Sequence, residues 1–144
     1  MNADKKINPR SSANICGPKN VMKTMSLVPM VSVADVERSI AFYHHLGFEI
    51  GNTFTCEGET KPSWAWLQSG GASLMLAAAN EPLANKQTVL FYVYTEDVAA
   101  ARVSLIEAGL KPGEIGTPFY APQGEFELLD PDGYIVMITH MGDG

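Results

Sequence analysis

Cysteine and long apolar runs are both scarce in this sequence of 144 residues. The two cysteines, Cys16 and Cys56, lie in unrelated polar surroundings, so they outline no disulfide framework, and free thiols fit a reducing compartment. No apolar run approaches the roughly 18 residues that a membrane span requires, which predicts a protein without a transmembrane segment. The apolar fraction of 46% is nevertheless enough for the core of an ordinary soluble domain.

Positive charge is also scarce in most of the chain. Residues 25–144 contain five Lys and Arg but fifteen Asp and Glu, an excess of ten negative charges. A field of this sign disfavours nucleic acids and anionic membrane surfaces as partners, and it raises the local concentration of cationic small molecules. The same charge could instead serve solubility alone.

The first 24 residues differ in composition from the rest of the chain. They hold five basic side chains against the single acidic residue Asp4, with scattered Asn, Ser and Pro and no apolar periodicity. This composition predicts a basic, disordered tail over residues 1–24. The tail has no apolar segment of the kind found in secretory signals, so we expect a cytoplasmic protein.

An internal repeat with an offset of 62 residues organises the rest of the chain. Several landmarks recur at the same spacing in both halves, which is typical of two tandem copies of one supersecondary unit. The matched pairs are Asp35 with Asp97, Gly47 with Gly109, Gly71 with Gly133, and Met75 with Met137.

Each copy is predicted to fold as a βαβββ module, the first over residues 25–80 and the second over residues 87–140. In each copy an Asp can cap a helix, apolar side chains recur at helical spacing, and a Gly followed by an apolar residue ends the helix. The predicted strands are 26–33, 48–55, 63–67, 72–78, 88–94, 114–120 and the two runs that flank a turn at 130–133. The sequence therefore predicts an α+β fold in which the modules form an open eight-stranded mixed sheet around a cavity.

Two motifs connect the sequence with a known family. The run from Asp35 to Tyr43 leads into Leu46-Gly47-Phe48, and the run from Asp130 to Tyr134 forms the late hairpin turn. Together with the paired modules, these motifs resemble the vicinal oxygen chelate superfamily of glyoxalases, bleomycin-resistance proteins and extradiol dioxygenases. The resemblance covers residues 26–140. It implies this fold, whereas the motifs are poor at naming an activity.

The resemblance also identifies where a metal would be bound. The metal-dependent enzymes of this superfamily carry His, Gln or Glu at four symmetric positions, two in each module. Zn, Ni, Mn or Fe as a divalent ion needs imidazole nitrogen or carboxylate oxygen, whereas a thioether suits Cu(I). At the matching positions this chain has Val28, Met75, Leu90 and Met137, none of which is such a ligand. This departure from the enzyme pattern predicts a protein without a metal or other cofactor, and it argues against lyase, epimerase and dioxygenase chemistry.

Residues two positions away from these four should share the cavity face, because side chains alternate along a strand. The expected lining is apolar and aromatic with a few hydroxyl groups, which suits a flat or hydrophobic ligand. As an alternative, the same side chains could fill a closed core. The candidate ligand-binding residues are Met30, Ser32, Trp64, Trp66, Met75, Tyr92, Tyr94, Phe119, Met137 and Thr139.

Histidines and acidic residues outside this set are predicted to be mainly solvated. His44 and His45 fall late in the first helix, and His140 is placed beyond the last strand, where it could also act as a base or a ligand. Glu125 and Glu127 are predicted to be exposed. The repeat matches Phe126 with Trp64.

Three functions are compatible with this sequence. The first is a metal-free protein that resembles the bleomycin-resistance branch and sequesters a small molecule, possible classes being cationic and aromatic compounds; the resemblance implies a homodimer. The second is a glyoxalase-like lyase, epimerase or dioxygenase that takes its metal through atypical ligands such as His140 or the first-helix residues His44 and His45. The third is a structural or partner-binding protein that makes its contacts through the basic tail.

Overall fold

A computed structural model describes residues 22–85 and 87–142 of the chain. The predicted tail of residues 1–24 lies outside the described residues except for its last part, 22–24. Within the described ranges, no helix has both the length and the apolar character needed to cross a membrane.

The first half of the fold is a four-stranded sheet with one helix. Its elements are β1 (Met30–Val33), α1 (Val36–His44), β2 (Glu49–Phe54), β3 (Trp64–Ser69) and β4 (Ala72–Ala78). The strand order is β1-β4-β3-β2, with β1 parallel to β4 and the remaining pairs antiparallel.

The second half repeats this plan with one strand fewer. Its elements are β5 (Leu90–Thr95), α2 (Val98–Glu107), β6 (Glu125–Leu129) and β7 (Ile135–His140). They form a three-stranded sheet of order β5-β7-β6, in which β5 is parallel to β7. The α+β class is as predicted, and the described residues contain seven strands in two sheets rather than eight in one.

The missing strand is the one predicted over residues 114–120. In this segment only an isolated bridge joins Gly116 to Glu125. Pro118 has no backbone N–H to donate to a ladder, which limits regular pairing there. The preceding turn is held by the backbone N–H of Gly113, which donates to the carbonyl of Glu127 over 2.8 Å, and by Arg102 Nε, which donates to the carbonyl of Gly113 over 2.7 Å.

Both helices begin and end as the sequence predicts. The Asp35 and Asp97 carboxylates accept hydrogen bonds from the backbone N–H groups of Arg38 and Ala100, at 3.2 and 2.9 Å. Gly47 and Gly109 follow the helices with φ values of 93° and 89°, a region that favours glycine. Local sequence therefore fixes both ends of each helix.

A single apolar core lies between the helices and the inner faces of the two sheets. Alternate strand residues point into it, as expected for a sheet covered on one face. Burial of these side chains supplies most of the driving force for folding. The buried strand residues are Val31, Val33, Ala65, Leu67, Leu74, Leu76, Phe126, Leu128, Val136 and Ile138.

Polar contacts join the turn between β6 and β7 to the first half of the chain. The hydroxyl of Tyr43 donates to Asp130 Oδ2 over 2.9 Å, and the hydroxyl of Tyr134 donates to the carbonyl of Ser32 over 3.0 Å. Asp132 Oδ1 accepts from the Arg38 guanidinium and from the backbone N–H of Ala34, at 3.0 and 3.1 Å. We refer to these contacts as the interhalf clasp.

Candidate functional site

The candidate site is built on the sheet faces that point away from the helices, which we call the open face. Register places the open-face residues beside one another: Met75 pairs with Met30 on one side and with Trp66 on the other. In the second sheet Met137 pairs with Tyr92. The open face comprises Met30, Ser32, Trp64, Trp66 and Met75 of the first sheet and Leu90, Tyr92, Tyr94, Met137 and Thr139 of the second.

Most of these side chains contact solvent. Tyr92 and Tyr94 are 48% and 56% exposed, and Met30 is also exposed, while Met75 and Met137 are half-buried. In this chain they therefore do not fill a closed core. Thr139 is the exception, since it is buried.

The two tyrosines of β5 form an aromatic platform. Their rings are stacked, with centroids 6.3 Å apart and an interplanar angle of 24°. Exposed aromatic rings on a rigid strand can stack on a flat ligand, or accept a cation over the ring face, without losing much conformational freedom. Tyr92 and Tyr94 are thus placed to bind aromatic or cationic groups.

Trp66 is positioned in the first sheet by the glycine opposite it. The β2 strand has an irregularity between Ile50 and Asn52, and a Cβ placed on Gly51 would lie 2.9 Å from Trp66 Cδ1. The indole therefore lies against the Gly51 backbone, which only a residue without a side chain allows. This contact holds Trp66 half-buried beside Met75.

Glu125 also lies on this face, and sequence reasoning missed it. Trp64 pairs with Ala77, but Phe126 pairs with Ile138, so the second hairpin is displaced by one residue relative to the repeat. The match of Phe126 with Trp64 was therefore wrong: Phe126 is 1% exposed in the core, and Glu125 takes the position of Trp64.

The displacement follows from the lengths of the two turns. Ser69 pairs with Ala72 across Gly70-Gly71, whereas Leu129 pairs with Ile135 across the longer segment 130–134. Because side chains alternate, a shift of one residue exchanges the two faces of a strand. Comparing the two turn lengths in the sequence could have revealed it.

Glu125 lines a cavity of about 280 Å³ at the end of the open face. Glu125 as a residue is 6% exposed, so the prediction that it is solvated was wrong, whereas Glu127 is exposed as predicted. The Tyr120 hydroxyl donates to Glu125 Oε2 over 3.1 Å, and Thr139 Oγ1 donates to Oε1 over 3.3 Å. The hydrogen bond that Tyr120 donates to Glu125, together with the charge of the Glu125 carboxylate, raises the pKa of Tyr120. The Tyr120 hydroxyl therefore keeps its proton and stays a hydrogen-bond donor.

A larger groove of about 610 Å³ lies between the two halves. It runs between the hairpin segment 69–74, where β3 turns into β4, and strand β5, with Phe48 among its lining residues. The first hairpin turns at Gly70-Gly71, which has no side chains to make contacts like those of the clasp residues Asp130, Asp132 and Tyr134. The groove thus opens where the first half has no counterpart of the interhalf clasp.

Phe119, His44 and His45 lie away from the Glu125 cavity, whereas His140 is one of its lining residues. Phe119 is 95% exposed in the loop before β6, with its ring edge-on to Tyr120. His44 and His45 line a separate cavity beside Ile40. His140 is the last residue of β7 rather than a residue beyond it, and its Nδ1 is buried with no hydrogen-bond partner in the described part of the chain.

The positions that hold a metal in related enzymes do not fit one here. Met75, Leu90 and Met137 place thioether and hydrocarbon groups on the open face, and Val28 precedes β1. Across residues 22–85 and 87–142, no group of three or more His, Cys, Asp or Glu could hold a metal ion. Hard divalent metals require oxygen or nitrogen ligands, so no chemistry is assigned to a metal at these positions.

Solved structures with the same architecture have low sequence identity to this chain. A bleomycin resistance determinant encoded on transposon Tn5 aligns with a TM-score of 0.63 at 21% identity, covering 81% of this chain and 98% of its own. A bleomycin-binding protein complexed with bleomycin gives 0.63 at 22% identity, with 83% and 100% covered. The fosfomycin resistance protein FosX from Mesorhizobium loti gives 0.65 at 13% identity, with 82% and 92% covered.

The sequence itself matches a family model described as the glyoxalase/bleomycin resistance protein/dioxygenase superfamily, over residues 26–138. Comparison with curated protein sequences gives no match. The family match spans both halves of the fold, and the structural neighbours share the same architecture. The chain therefore belongs to the glyoxalase/bleomycin resistance protein/dioxygenase superfamily.

Proposed function

We propose that this protein binds a small molecule on its open face and sequesters it without chemical turnover. The observation that supports this most directly is the exposed, stacked pair Tyr92 and Tyr94 beside Met137. Exposed apolar patches on folded proteins generally mark binding surfaces. The side chains at the family's metal positions offer no oxygen or nitrogen ligand, which favours binding over metal-dependent catalysis.

Aromatic and cationic compounds are the ligand classes that this surface favours. Tyr, Trp and Met side chains supply polarizable apolar area, and the excess of ten negative charges over residues 25–144 attracts cations. A fold neighbour is a bleomycin-binding protein that was solved with bleomycin. Bleomycin therefore belongs in the first set of compounds to be tested.

A saturating ligand is expected to raise the melting temperature. At about 100 times its Kd a ligand stabilises the folded state by roughly 2.7 kcal/mol, equivalent to several degrees for a domain of this size. A thermal-shift panel should include bleomycin, planar aromatic compounds, organic cations and neutral sugars as controls. If no aromatic or cationic compound shifts the transition, the protein has no such binding function.

In solution the protein is expected to form a homodimer that buries part of the open face and leaves Tyr92 and Tyr94 free. Met30 and Leu90 are exposed large apolar side chains on this face, and covering them would contribute favourable apolar burial. Sedimentation equilibrium should give twice the chain mass, and Leu90→Glu should give the monomer mass. A monomer at all concentrations of the unmodified chain would contradict the dimer.

Several sequence predictions stay predictions. These are the module boundaries at 25–80 and 87–140, the cytoplasmic location and the exclusion of nucleic-acid partners. The alternative in which the basic tail binds a partner depends on residues that lie almost entirely outside the described ranges.

A further inference from the structure

The cavity at Glu125 contains a buried carboxyl group that the fold itself does not require. The position equivalent to Glu125 in the first half is occupied by Trp64, which pairs with Ala77 as Glu125 pairs with Thr139. An aromatic side chain is therefore compatible with this place in the sheet. Packing alone does not explain why an ionisable residue is buried there.

The carboxylate of Glu125 is only partly compensated. Its two hydrogen bonds come from neutral hydroxyl groups, those of Tyr120 and Thr139. Glu is rarely this buried without a cationic partner, because removing the charge from water is costly. The ion pairs found in the described part of the chain involve other carboxylates, those of Asp35, Glu37, Glu49, Glu114 and Asp132.

The walls of the cavity are suited to an organic cation. Tyr92, Tyr94 and Tyr120 line it together with Glu125, Thr139 and His140, so the cavity combines one carboxylate with three phenol rings and one imidazole. Aromatic faces attract ammonium groups, and the attraction is larger where water is excluded. The volume of about 280 Å³ is suited to the end of a ligand rather than to a whole drug-sized molecule.

We infer that the Glu125 cavity is a subsite for an alkylammonium group of the bound molecule, with Glu125 as the counter-ion and the tyrosines as its aromatic walls. This inference rests on the proposed binding function and specifies its ligand class. Tyr92 and Tyr94 belong both to the open face and to this cavity, so one ligand can stack its flat part on the platform while its cation reaches Glu125.

A matched pair of probes separates the cation from the aromatic part. We suggest 4-phenylbutylamine and its neutral analogue 4-phenylbutan-1-ol, titrated into the full chain by calorimetry. The amine is expected to bind at least about tenfold more tightly than the alcohol. Glu125→Gln should lower the affinity for the amine to the level of the affinity for the alcohol. The affinity for the alcohol should not change.

Glu127→Gln is the matched control. Glu127 lies on the same strand and the same face, and it carries the same charge, but it is exposed and pairs with Met137. Its replacement should change the amine affinity less than twofold. An equal loss in the two variants would mean that the general acidic field attracts the amine, and this would overturn the subsite.

Other outcomes separate this inference from the proposed function. Equal affinities of amine and alcohol for the unmodified protein would refute the cation subsite and leave aromatic binding in place. Failure of both probes to bind would count against the cation subsite and against the proposed binding function. Should Glu125→Gln not fold, the side-chain carboxyl signal of Glu125 in ¹³C-labelled unmodified protein must shift with the amine and not with the alcohol; absence of that shift would refute the subsite.

Discussion

Replacing Tyr92 and Tyr94 together with alanine is expected to weaken ligand binding by about 100-fold, which corresponds to roughly 2.7 kcal/mol. The two rings are stacked on one another at 6.3 Å and face solvent, so their contact area is available to a ligand. For the same reason the free energy of unfolding should fall by less than about 1 kcal/mol. Calorimetric titration and urea denaturation measure the two effects separately.

Phe119→Ala is the control for this prediction. Phe119 is a more exposed aromatic residue, but it lies in the loop before β6 and outside the open face. The sequence predicts it as a ligand-binding residue, whereas its position leads us to expect less than a twofold change. If Phe119→Ala weakens binding as much as the double tyrosine variant, the ligand does not bind on the Tyr92 and Tyr94 platform.

Asp130→Ala is expected to lower the free energy of unfolding by about 3 to 5 kcal/mol, the largest stability effect we predict for a single residue. The buried carboxylate accepts from the hydroxyl of Tyr43 at 2.9 Å and from the backbone N–H groups of Asp132 and Tyr134 at 2.8 and 2.9 Å. Alanine leaves all three donors without a partner and releases the turn from helix α1. Urea denaturation near neutral pH measures this loss.

Asp130→Asn is the matched variant for the hydrogen bonds. Its amide oxygen can still accept from both backbone N–H groups, and its NH₂ can donate to the Tyr43 oxygen. We therefore expect a loss below about 1.5 kcal/mol. A loss as large as that of Asp130→Ala would mean that the negative charge, rather than the hydrogen bonds, holds the interhalf clasp together.

A comparison of the unmodified protein with Asp130→Asn also tests the titration of Asp130. Burial raises the pKa of this carboxyl above its ordinary value, and the hydrogen bonds from Tyr134, Tyr43 and Asp132 oppose the rise only in part. The folded state thus binds the proton more tightly than the unfolded state does. The stability contributed by protonation is complete below the ordinary carboxyl range and is lost as the pH rises through the raised pKa.

We consider the free energy of unfolding of the unmodified protein minus that of Asp130→Asn. This difference should decrease as the pH rises from the ordinary carboxyl pKa through the raised pKa of Asp130, and it should become constant at higher pH. Denaturation curves of both proteins, measured from acid to neutral pH, give this difference directly. A difference that increases with pH would mean that the pKa of Asp130 is lowered in the folded protein.

Local patterns in the sequence were sufficient for the elements that depend on neighbouring residues. Asp35 and Asp97 cap their helices, and Gly47 and Gly109 end them, because each of these interactions spans only a few residues. The alternation of side chains along a strand likewise placed Met30 and Ser32 together on the cavity face, and in the structure both are exposed while Val31 and Val33 are buried. These features follow from backbone geometry and side-chain polarity, which the sequence contains directly.

The sequence alone thus determined the family, the helix ends and most of the open face. Tertiary structure alone decided which residues meet at its end, because a one-residue difference in register between the two hairpins moved Phe126 into the core and turned Glu125 toward Tyr120 and Thr139. Register depends on turn length and on pairing between distant strands, so a repeat matched at a fixed offset cannot specify it. The interhalf clasp has the same origin, since Tyr43 and Asp130 are far apart in the chain and come together only when the two halves pack.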